Sequence, residues 1–157
     1  MEKLPSCIWE PAAGHGAIVR VLRDAGHAVI ASDLVDYGDL HFVRDFYAQT
    51  RAPAGTEAVI TNPPFRGIGD FIAHALDLSP TVIVLARLAL LESAKRTEIL
   101  ARRGLARVLV FRERLPRMHR EGWNGRKASS AVPFAWFVWE RGYRGAPAIH
   151  RISAREV

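Results

Sequence analysis

Short apolar runs rich in Val and Ile alternate along the chain with segments whose apolar residues recur at helical spacing. This alternation is typical of βαβ units, in which helices connect parallel strands and cover the sheet. It therefore predicts an α/β fold with a mostly parallel sheet. Strands are expected at residues 7–9, 28–32, 58–61, 81–86, 107–111, 134–139 and 148–152.

Three segments have the helical pattern and are bounded by residues that stop helices. The segment 16–25 ends before Gly26, the segment 68–78 ends before Pro80, and the segment 88–103 ends before Gly104. Glycine permits the left-handed conformation in which many helices end, and proline cannot continue one. We expect helices at all three places.

Size and charge limit the classes of protein to which the chain can belong. A chain of 157 residues with 49% hydrophobic content can bury one core, so we expect a single domain over residues 1–157. The formal net charge of +6 favours a polyanionic partner such as nucleic acid. The open alternative is an ordinary basic surface facing solvent.

Cysteine and hydropathy patterns indicate where the protein works. Cys7 is the single cysteine, so no internal disulfide can form and a reducing, cytoplasmic location is expected. No apolar run approaches the roughly 18 residues of a membrane span, and the first residues lack the pattern of a secretory signal. The six histidines include no pair spaced four apart, so we expect no metal site.

The loops after the first strands are the expected ligand sites, because open α/β sheets bind ligands beyond the carboxyl ends of their strands. In the segment EPAAGHG, Gly14 and Gly16 allow the backbone to approach a ligand closely. A dinucleotide fingerprint would need glycine where the chain has Val19. Asp33 lies about where an acidic side chain accepts hydrogen bonds from ribose hydroxyls. This pattern predicts a nucleoside ligand without a pyrophosphate, although each feature alone also fits a tight turn.

Two further segments carry groups that suit a nucleoside or a base. Asp45 offers a carboxylate to an exocyclic amine, and Phe46 offers a ring to a purine. The segment TNPPF, residues 61–65, follows an apolar run and places two prolines where a loop begins. Consecutive prolines fix their φ angles and bias the preceding Asn62 away from helical geometry. We therefore expect a rigid corner at this position.

The segments EPAAGHG, ASD, RDFY and TNPPF, in that order, resemble the S-adenosylmethionine-dependent amino-methyltransferases, in particular small phage- and prophage-type adenine-N6 DNA methyltransferases. The resemblance covers nearly the whole chain and includes the closing segment FAWFVWERGYRGAP. It implies a Rossmann-like methyltransferase fold, with a mostly parallel seven-stranded sheet, an antiparallel last hairpin and helices on both faces. It also implies S-adenosylmethionine as cofactor and adenine N6 in DNA as the methyl acceptor.

The resemblance assigns a role to each motif. Gly14 and Gly16 would pack on the methionine part of the cofactor, with Glu10 near its amino group and Asp33 on its ribose. Asp45 would face the adenine amine, and Phe46 would lie against the adenine ring. The full set of implied cofactor-binding residues is Glu10, Pro11, Ala12, Gly14, Gly16, Asp33, Leu34, Asp45, Phe46 and Asn62.

The implied catalytic residues are Asn62, Pro63, Pro64 and Phe65. An exocyclic amine is a poor nucleophile because its lone pair is delocalised into the base. The Asn62 side-chain oxygen and the Pro63 carbonyl would accept its two hydrogens, localise the lone pair and aim it at the methyl group, which is preorganisation rather than acid catalysis. Phe65 would stack on the base after it has been turned out of the duplex.

The segment 112–130, RERLPRMHREGWNGRKASS, is long, polar and basic. We expect it to be a substrate-facing loop, with a solvated basic surface as the alternative. The expected nucleic-acid-binding residues are Arg66, Arg112, Arg114, Arg117, Arg120, Trp123, Arg126 and Lys127. A single domain leaves no separate target-recognition domain, so an oligomer or a partner subunit that supplies specificity stays open.

Three other functions remain compatible with these motifs. NPPF-like loops also occur in enzymes that methylate RNA bases or protein glutamine, and the basic charge favours nucleic acid without separating RNA from DNA. The second alternative function, after methylation of RNA bases or glutamine, is an inactive methyltransferase-fold module that only binds nucleic acid. A nicotinamide-dependent oxidoreductase is the third, and Val19 argues against it.

Overall fold

The computed structural model describes residues 3–38, 40–92, 94–115 and 131–154. Within these ranges, eight strands form one sheet in the order β3-β2-β1-β4-β5-β7-β6-β8. The strands are β1 (Cys7–Glu10), β2 (Ala28–Asp33), β3 (Phe42–Val43), β4 (Ala58–Thr61), β5 (Thr81–Arg87), β6 (Leu105–Phe111), β7 (Phe134–Glu140) and β8 (Ala148–Ile152).

The strand directions confirm the predicted mostly parallel sheet. Strands β1 to β5 pair in parallel with one another, and β7 lies antiparallel to both β5 and β6. Strand β8 pairs in parallel with β6, so the antiparallel hairpin is β6–β7. The sheet has one strand more than predicted because β3 has only two residues, too few to form an apolar run. The order runs outward from β1 in both directions, which places the ligand crevice of such folds beside β1.

Helices cover both faces of the sheet, as predicted. Helix α1 (Ala17–Asp24) packs on the face that contains Ile8, and helix α2 (Ile68–Leu78) packs on the opposite face with Trp9. Adjacent residues of β1 thus enter different clusters, because side chains alternate across a strand. None of the described helices is both long and apolar enough to cross a membrane.

The third predicted helix, 88–103, is instead broken into short helical segments. They are 3₁₀ turns at Leu88–Glu92 and Ala94–Arg96, and a π-helical turn at Glu98–Arg102. Leu90 and Ile99 are both buried in the cluster on the α2 face. Their spacing corresponds to about two and a half turns of a regular α-helix, which would turn them to opposite sides. The breaks let both side chains reach the same core.

The connection after β3 is held by the ring of Phe46, which is 6% exposed. This ring stacks on Phe71 of α2 with centroids 4.2 Å apart. It also meets Trp9 of β1 at 5.5 Å, edge to face. The indole N–H of Trp9 donates to the Ser32 hydroxyl at 2.9 Å, so this polar group is satisfied inside the core. The cluster therefore joins the first two strands to α2.

Replacement of Phe46 by Ala removes the ring from this cluster and leaves a cavity. We expect Phe46→Ala to lower the free energy of unfolding by about 3 to 5 kcal/mol, measured by urea denaturation. The neighbouring Tyr47 is 52% exposed, so Tyr47→Ala is the matched control and should cost about 0.5 kcal/mol. Equal losses in the two variants would contradict the core role of Phe46.

Candidate active site

The loops after β1, β2 and β4 meet at one edge of the sheet, called here the carboxyl edge. Strand β1 pairs in parallel with β2 and with β4, so all three strands end on the same side. Glu10, Asp33 and Thr61 are the last residues of these strands. The motifs that the sequence singled out are therefore neighbours in space.

The loop of residues 10–16, called the glycine loop, is fastened to the end of β2. The Gly14 N–H donates to Asp33 Oδ2 at 2.8 Å, and the Ala13 N–H donates to the Ser32 carbonyl at 3.0 Å. Gly14 and Gly16 have φ angles of +50° and +71°, where a side chain would be strained. A Cβ at Gly14 would meet nothing within 4 Å, so conformation rather than space requires glycine there.

Glu10 is both the last residue of β1 and the first of this loop, and its carboxyl group is buried, with 1% of the residue's surface exposed. Burial raises its pKa from an ordinary 4.5 to about 8, the Val19 backbone N–H opposes this rise, and the Asp33 charge adds to it. Val19 lies in the first turn of α1, so the carboxyl group is close to the beginning of that helix. Its Oε2 atom is buried without a hydrogen-bond partner. An unused acceptor thus lies next to the glycine loop.

Large apolar side chains are exposed directly after Asp33. Leu34, Val35 and Tyr37 are 67%, 51% and 40% exposed, and the Tyr37 ring meets the His15 ring at 4.6 Å. Exposed apolar surface beside polar groups is typical of ligand-binding sites. The resemblance implied Leu34 but not Val35, Tyr37 or His15. The apolar pair that follows the acidic end of β2 is the signal that would have extended the prediction.

Residues Asn62 to Phe65 form a corner between β4 and α2, called the diproline corner. Pro63 is buried, Asn62 is half-buried, and Pro64 and Phe65 are exposed. The Asn62 Oδ1 atom is itself shielded from solvent. Gly67, with φ at +73°, is the N-cap that precedes α2. The corner therefore faces outward at its tip and is anchored at its base.

A cavity of about 210 Å³, called the Phe65 pocket, lies beside this corner. It is lined by Phe65, Ile68, Ala86, Arg87, Ala89, Leu90 and Arg96. A larger cavity of about 340 Å³, lined by Arg103, Arg141 and Arg144 among others, lies where α2 ends and β5 begins. That place is the opposite edge of the sheet from the strand ends where such folds bind ligands, so the larger cavity is not the candidate active site.

The structure adds to the role of one predicted residue and positions several others. Phe46 is a core residue whose ring stacks on Phe71, so it has a packing role in addition to the cofactor contact that the resemblance implies, which stays a prediction. Asp45 is exposed and caps the 3₁₀ turn Phe46–Ala48 by accepting from the Tyr47 N–H at 2.9 Å. Within the glycine loop, Pro11 is buried and Ala12 is half-buried.

The predicted nucleic-acid contacts are described only in part. Arg66, Arg112 and Arg114 are exposed, and Arg114 donates to the Ala131 carbonyl at 2.9 Å. Arg117, Arg120, Trp123, Arg126 and Lys127 lie outside the described residues. Across the described ranges, no three His, Cys, Asp or Glu side chains are grouped to hold a metal ion.

The raised pKa of Glu10 should make stability depend on pH in a specific direction. Between about pH 4.5 and about pH 8 the folded chain keeps a proton that the unfolded chain has lost, so the free energy of unfolding falls as pH rises, by at most roughly 1.4 kcal/mol per pH unit. Glu10→Gln cannot titrate. Its stability relative to wild type, measured by urea denaturation, should improve with pH and level off above about pH 8.

Glu57 provides the control for this measurement because its pKa moves in the opposite direction. Hydrogen bonds from Cys7 and Ser6 lower that pKa, so the stability it contributes is present above its ordinary pKa and lost as pH falls. Glu57→Gln should therefore change only the acidic limb of the profile. A pH-independent difference between Glu10→Gln and wild type would rule out a buried, titrating Glu10.

Comparison with known proteins gives a likeness in structure but none in sequence. No protein-family model matches the chain, and no curated protein sequence matches it. A candidate RNA methyltransferase from Pyrococcus horikoshii superposes with a TM-score of 0.60 at 16% identity, covering 86% of this chain and 74% of that protein. Precorrin-6y C5,15-methyltransferase from Geobacter metallireducens superposes with a TM-score of 0.51 at 16% identity, covering 85% and 78%.

A third similar structure contains a ligand. It is 1,6-didemethyltoxoflavin-N1-methyltransferase from Burkholderia thailandensis with bound S-adenosylhomocysteine, at a TM-score of 0.50 and 12% identity, covering 87% of this chain and 71% of that protein. At identities this low the likeness concerns architecture. Together with the strand order and the helices on both faces, it shows that this chain has the Rossmann-like methyltransferase fold.

Proposed function

We propose that the protein transfers a methyl group from S-adenosylmethionine to the exocyclic N6 amine of adenine in DNA. The observation that carries the proposal is the meeting of three features at the carboxyl edge. These are the glycine loop tied to Asp33, the buried Glu10 with an unused acceptor, and the diproline corner. The fold and the basic charge of the chain support the same activity.

The groups at the carboxyl edge fit this cofactor chemically. Its ammonium group and ribose hydroxyls are donors, and the edge offers the carboxyl groups of Glu10 and Asp33. The Glu10 Oε2 atom lacks a partner, so an ammonium donor would satisfy it. Asp33 accepts from the backbone of Gly14 and Val35, and a carboxylate has about four acceptor sites, so two remain for ribose. The methyltransferase with bound S-adenosylhomocysteine has the same fold, which agrees with this choice.

The remaining cofactor contacts follow from the surface around Asp33. Leu34 and Val35 expose apolar area on which an adenine ring can lie. Asp45 is exposed and keeps one carboxylate oxygen beyond the bond that caps the turn, so it remains a candidate for the adenine amine. Gly14 leaves open space beside the loop, which permits close approach of the methionine part.

Bound S-adenosylmethionine would supply an electrophilic methyl group; transfer of that group to the amine nitrogen would leave the electron pair of the broken C–S bond on sulfur and release one amine proton to solvent. The chain prepares the amine for this step. Asn62 Oδ1 and the Pro63 carbonyl accept its two hydrogens, and the prolines hold both acceptors in place before the substrate arrives. Buried surroundings strengthen a hydrogen bond to Asn62 Oδ1.

The burial of Asn62 Oδ1 also determines whether the target base can remain stacked in a duplex. Because Asn62 Oδ1 is shielded from solvent, the amine has to enter the site to meet it. A base stacked inside a duplex cannot do so, and extrusion costs a few kcal/mol. Stacking on Phe65 returns roughly 1 to 3 kcal/mol, which about cancels that cost. Net affinity must then come from phosphate contacts, which the basic residues of 112–130 and Arg66 can supply.

An RNA base is the second candidate acceptor, because a candidate RNA methyltransferase is among the similar structures and the basic charge of the chain favours nucleic acid without separating RNA from DNA. Incubation with methyl-labelled cofactor and separate pools of DNA, RNA and protein, followed by identification of the modified nucleoside or residue, decides between them. Label in adenine of DNA supports the proposal. Label in RNA or in glutamine replaces it, and no label in any pool favours a binding module.

Asn62→Ala removes the side-chain acceptor from the diproline corner. We expect kcat for methyl transfer to fall by at least about 10²-fold, the usual loss of one preorganised hydrogen-bond partner, while cofactor affinity measured by calorimetry stays within a few-fold. Asp77→Ala, which removes a polar side chain at the opposite edge of the sheet, is the control and should keep its activity. Retained turnover by Asn62→Ala would contradict the assigned role.

Replacement of Arg117, Arg120 and Arg126 by Ala tests the basic segment. If each arginine neutralises a phosphate, the triple variant should bind all DNA sequences more weakly, and the slope of log K against log salt should flatten by about 2 to 3. Arg144→Ala, at the opposite edge of the sheet, removes a charge without this effect. Binding by the triple variant that matches wild type would return the segment to a solvated surface.

A further inference from the structure

The Arg87 guanidinium lies over the ring of Phe65, with its Cζ atom 4.5 Å from the ring centroid. Arg87 is the last residue of β5 and pairs with Phe134 of β7, whose ring lies 6.0 Å from Phe65. A side chain from the neighbouring strand therefore lies over the Phe65 ring at the tip of the diproline corner. This is the ring on which the target base is proposed to stack.

The two guanidinium groups of the Phe65 pocket are held very differently. Arg96 donates to the carbonyls of Ala89 at 3.1 Å and Leu90 at 3.3 Å, which fixes it to the backbone. Within the described ranges the Arg87 guanidinium makes neither a hydrogen bond nor an ion pair, and it contacts the Phe65 ring. The contact of Arg87 is thus the one that a ligand can displace.

The size and lining of the Phe65 pocket suit a planar ring. At about 210 Å³ it is smaller than the roughly 300 to 1,000 Å³ of sites that hold whole drug-sized ligands. Its walls include Ile68, Ala86 and Leu90, which are apolar and buried. A guanidinium is planar and delocalised, and it stacks on an aromatic face much as a nucleobase does.

We propose that Arg87 controls access of the substrate base to Phe65: its guanidinium occupies the face of the ring on which the base stacks and is displaced when a planar base takes that place. This inference rests on the proposed function, because it names a residue that governs entry to the same site. A cation over a ring at an exposed position changes the equilibrium constant of that contact by a factor of roughly two to five. A stacked base changes the binding constant by a factor of roughly five to 150, so the base displaces the cation.

The test compares two single-stranded thymidine hexanucleotides, one with a central adenine and one with an abasic site at that position. The ratio of their dissociation constants isolates the contribution of the base, because phosphate contacts are common to both. Single strands also remove the cost of extrusion. Arg87→Ala should raise the preference for adenine two- to fivefold, since the base no longer competes with the guanidinium.

Two variants control for charge and for the ring. Arg66→Ala removes the same charge from the neighbouring loop and should weaken both oligonucleotides equally, leaving the preference unchanged. Phe65→Leu should abolish the preference, and Arg87→Ala should then add nothing to it, because both changes act through one ring. Thermal unfolding of each variant verifies that it is folded.

The outcomes separate this inference from the proposed function. An unchanged or reduced preference in Arg87→Ala overturns the inference, and the function stands if wild type still methylates DNA. A raised preference in Arg87→Ala that persists in the Phe65→Leu background also overturns it. A raised preference that requires Phe65 supports the inference even where labelled cofactor transfers no methyl group, and in that case the proposed function alone fails.

Discussion

The parallel pairing of β1 with β2 on one side and β4 on the other is the constraint on which the rest of the site depends. It brings the ends of three strands to one edge, although Glu10, Asp33 and Asn62 are far apart in sequence. The hydrogen bond from the Gly14 N–H to Asp33 then fixes the glycine loop against β2. Loss of the parallel pairing of these strands would separate the glycine loop, Asp33 and the diproline corner.

The burial of Glu10 leaves a hydrogen-bond acceptor without a partner at this edge. A carboxyl group with 1% exposure and an acceptor atom without a partner is unfavourable unless something compensates for it. Part of the compensation is the Val19 N–H at the start of α1, and part is retention of the proton, since the pKa rises to about 8. A cationic donor would satisfy the remaining acceptor and favour the ionised form. The energetic defect in the fold is thus a recognition element in the proposed function.

Sequence patterns predicted the elements whose contacts are local and missed those that depend on distant partners. Helix α2 was predicted at its observed bounds, because its apolar period and Pro80 lie within one segment. The packing role of Phe46 was not predicted, because no local signal indicates that Trp9 and Phe71 enclose its ring. The broken helix at 88–103 has the same cause, since the common burial of Leu90 and Ile99 is a property of the core. The contact of Arg87 with Phe65 likewise joins the end of β5 to the diproline corner, which only the sheet order brings together.

The order of the strands also decides where the two halves of the proposed reaction can meet. Strand β4 lies between β1 and β5, and neighbouring strands are about 4.8 Å apart. The groups proposed for the cofactor lie at the ends of β1 and β2, and the Phe65 pocket lies beside the end of β5. The diproline corner begins at the end of β4, about one strand spacing from each side. An acceptor placed at that corner is therefore within reach of a base held over β5 and a methyl donor held over β1, which is why Asn62, rather than any residue of the flanking loops, is the position at which transfer would be controlled.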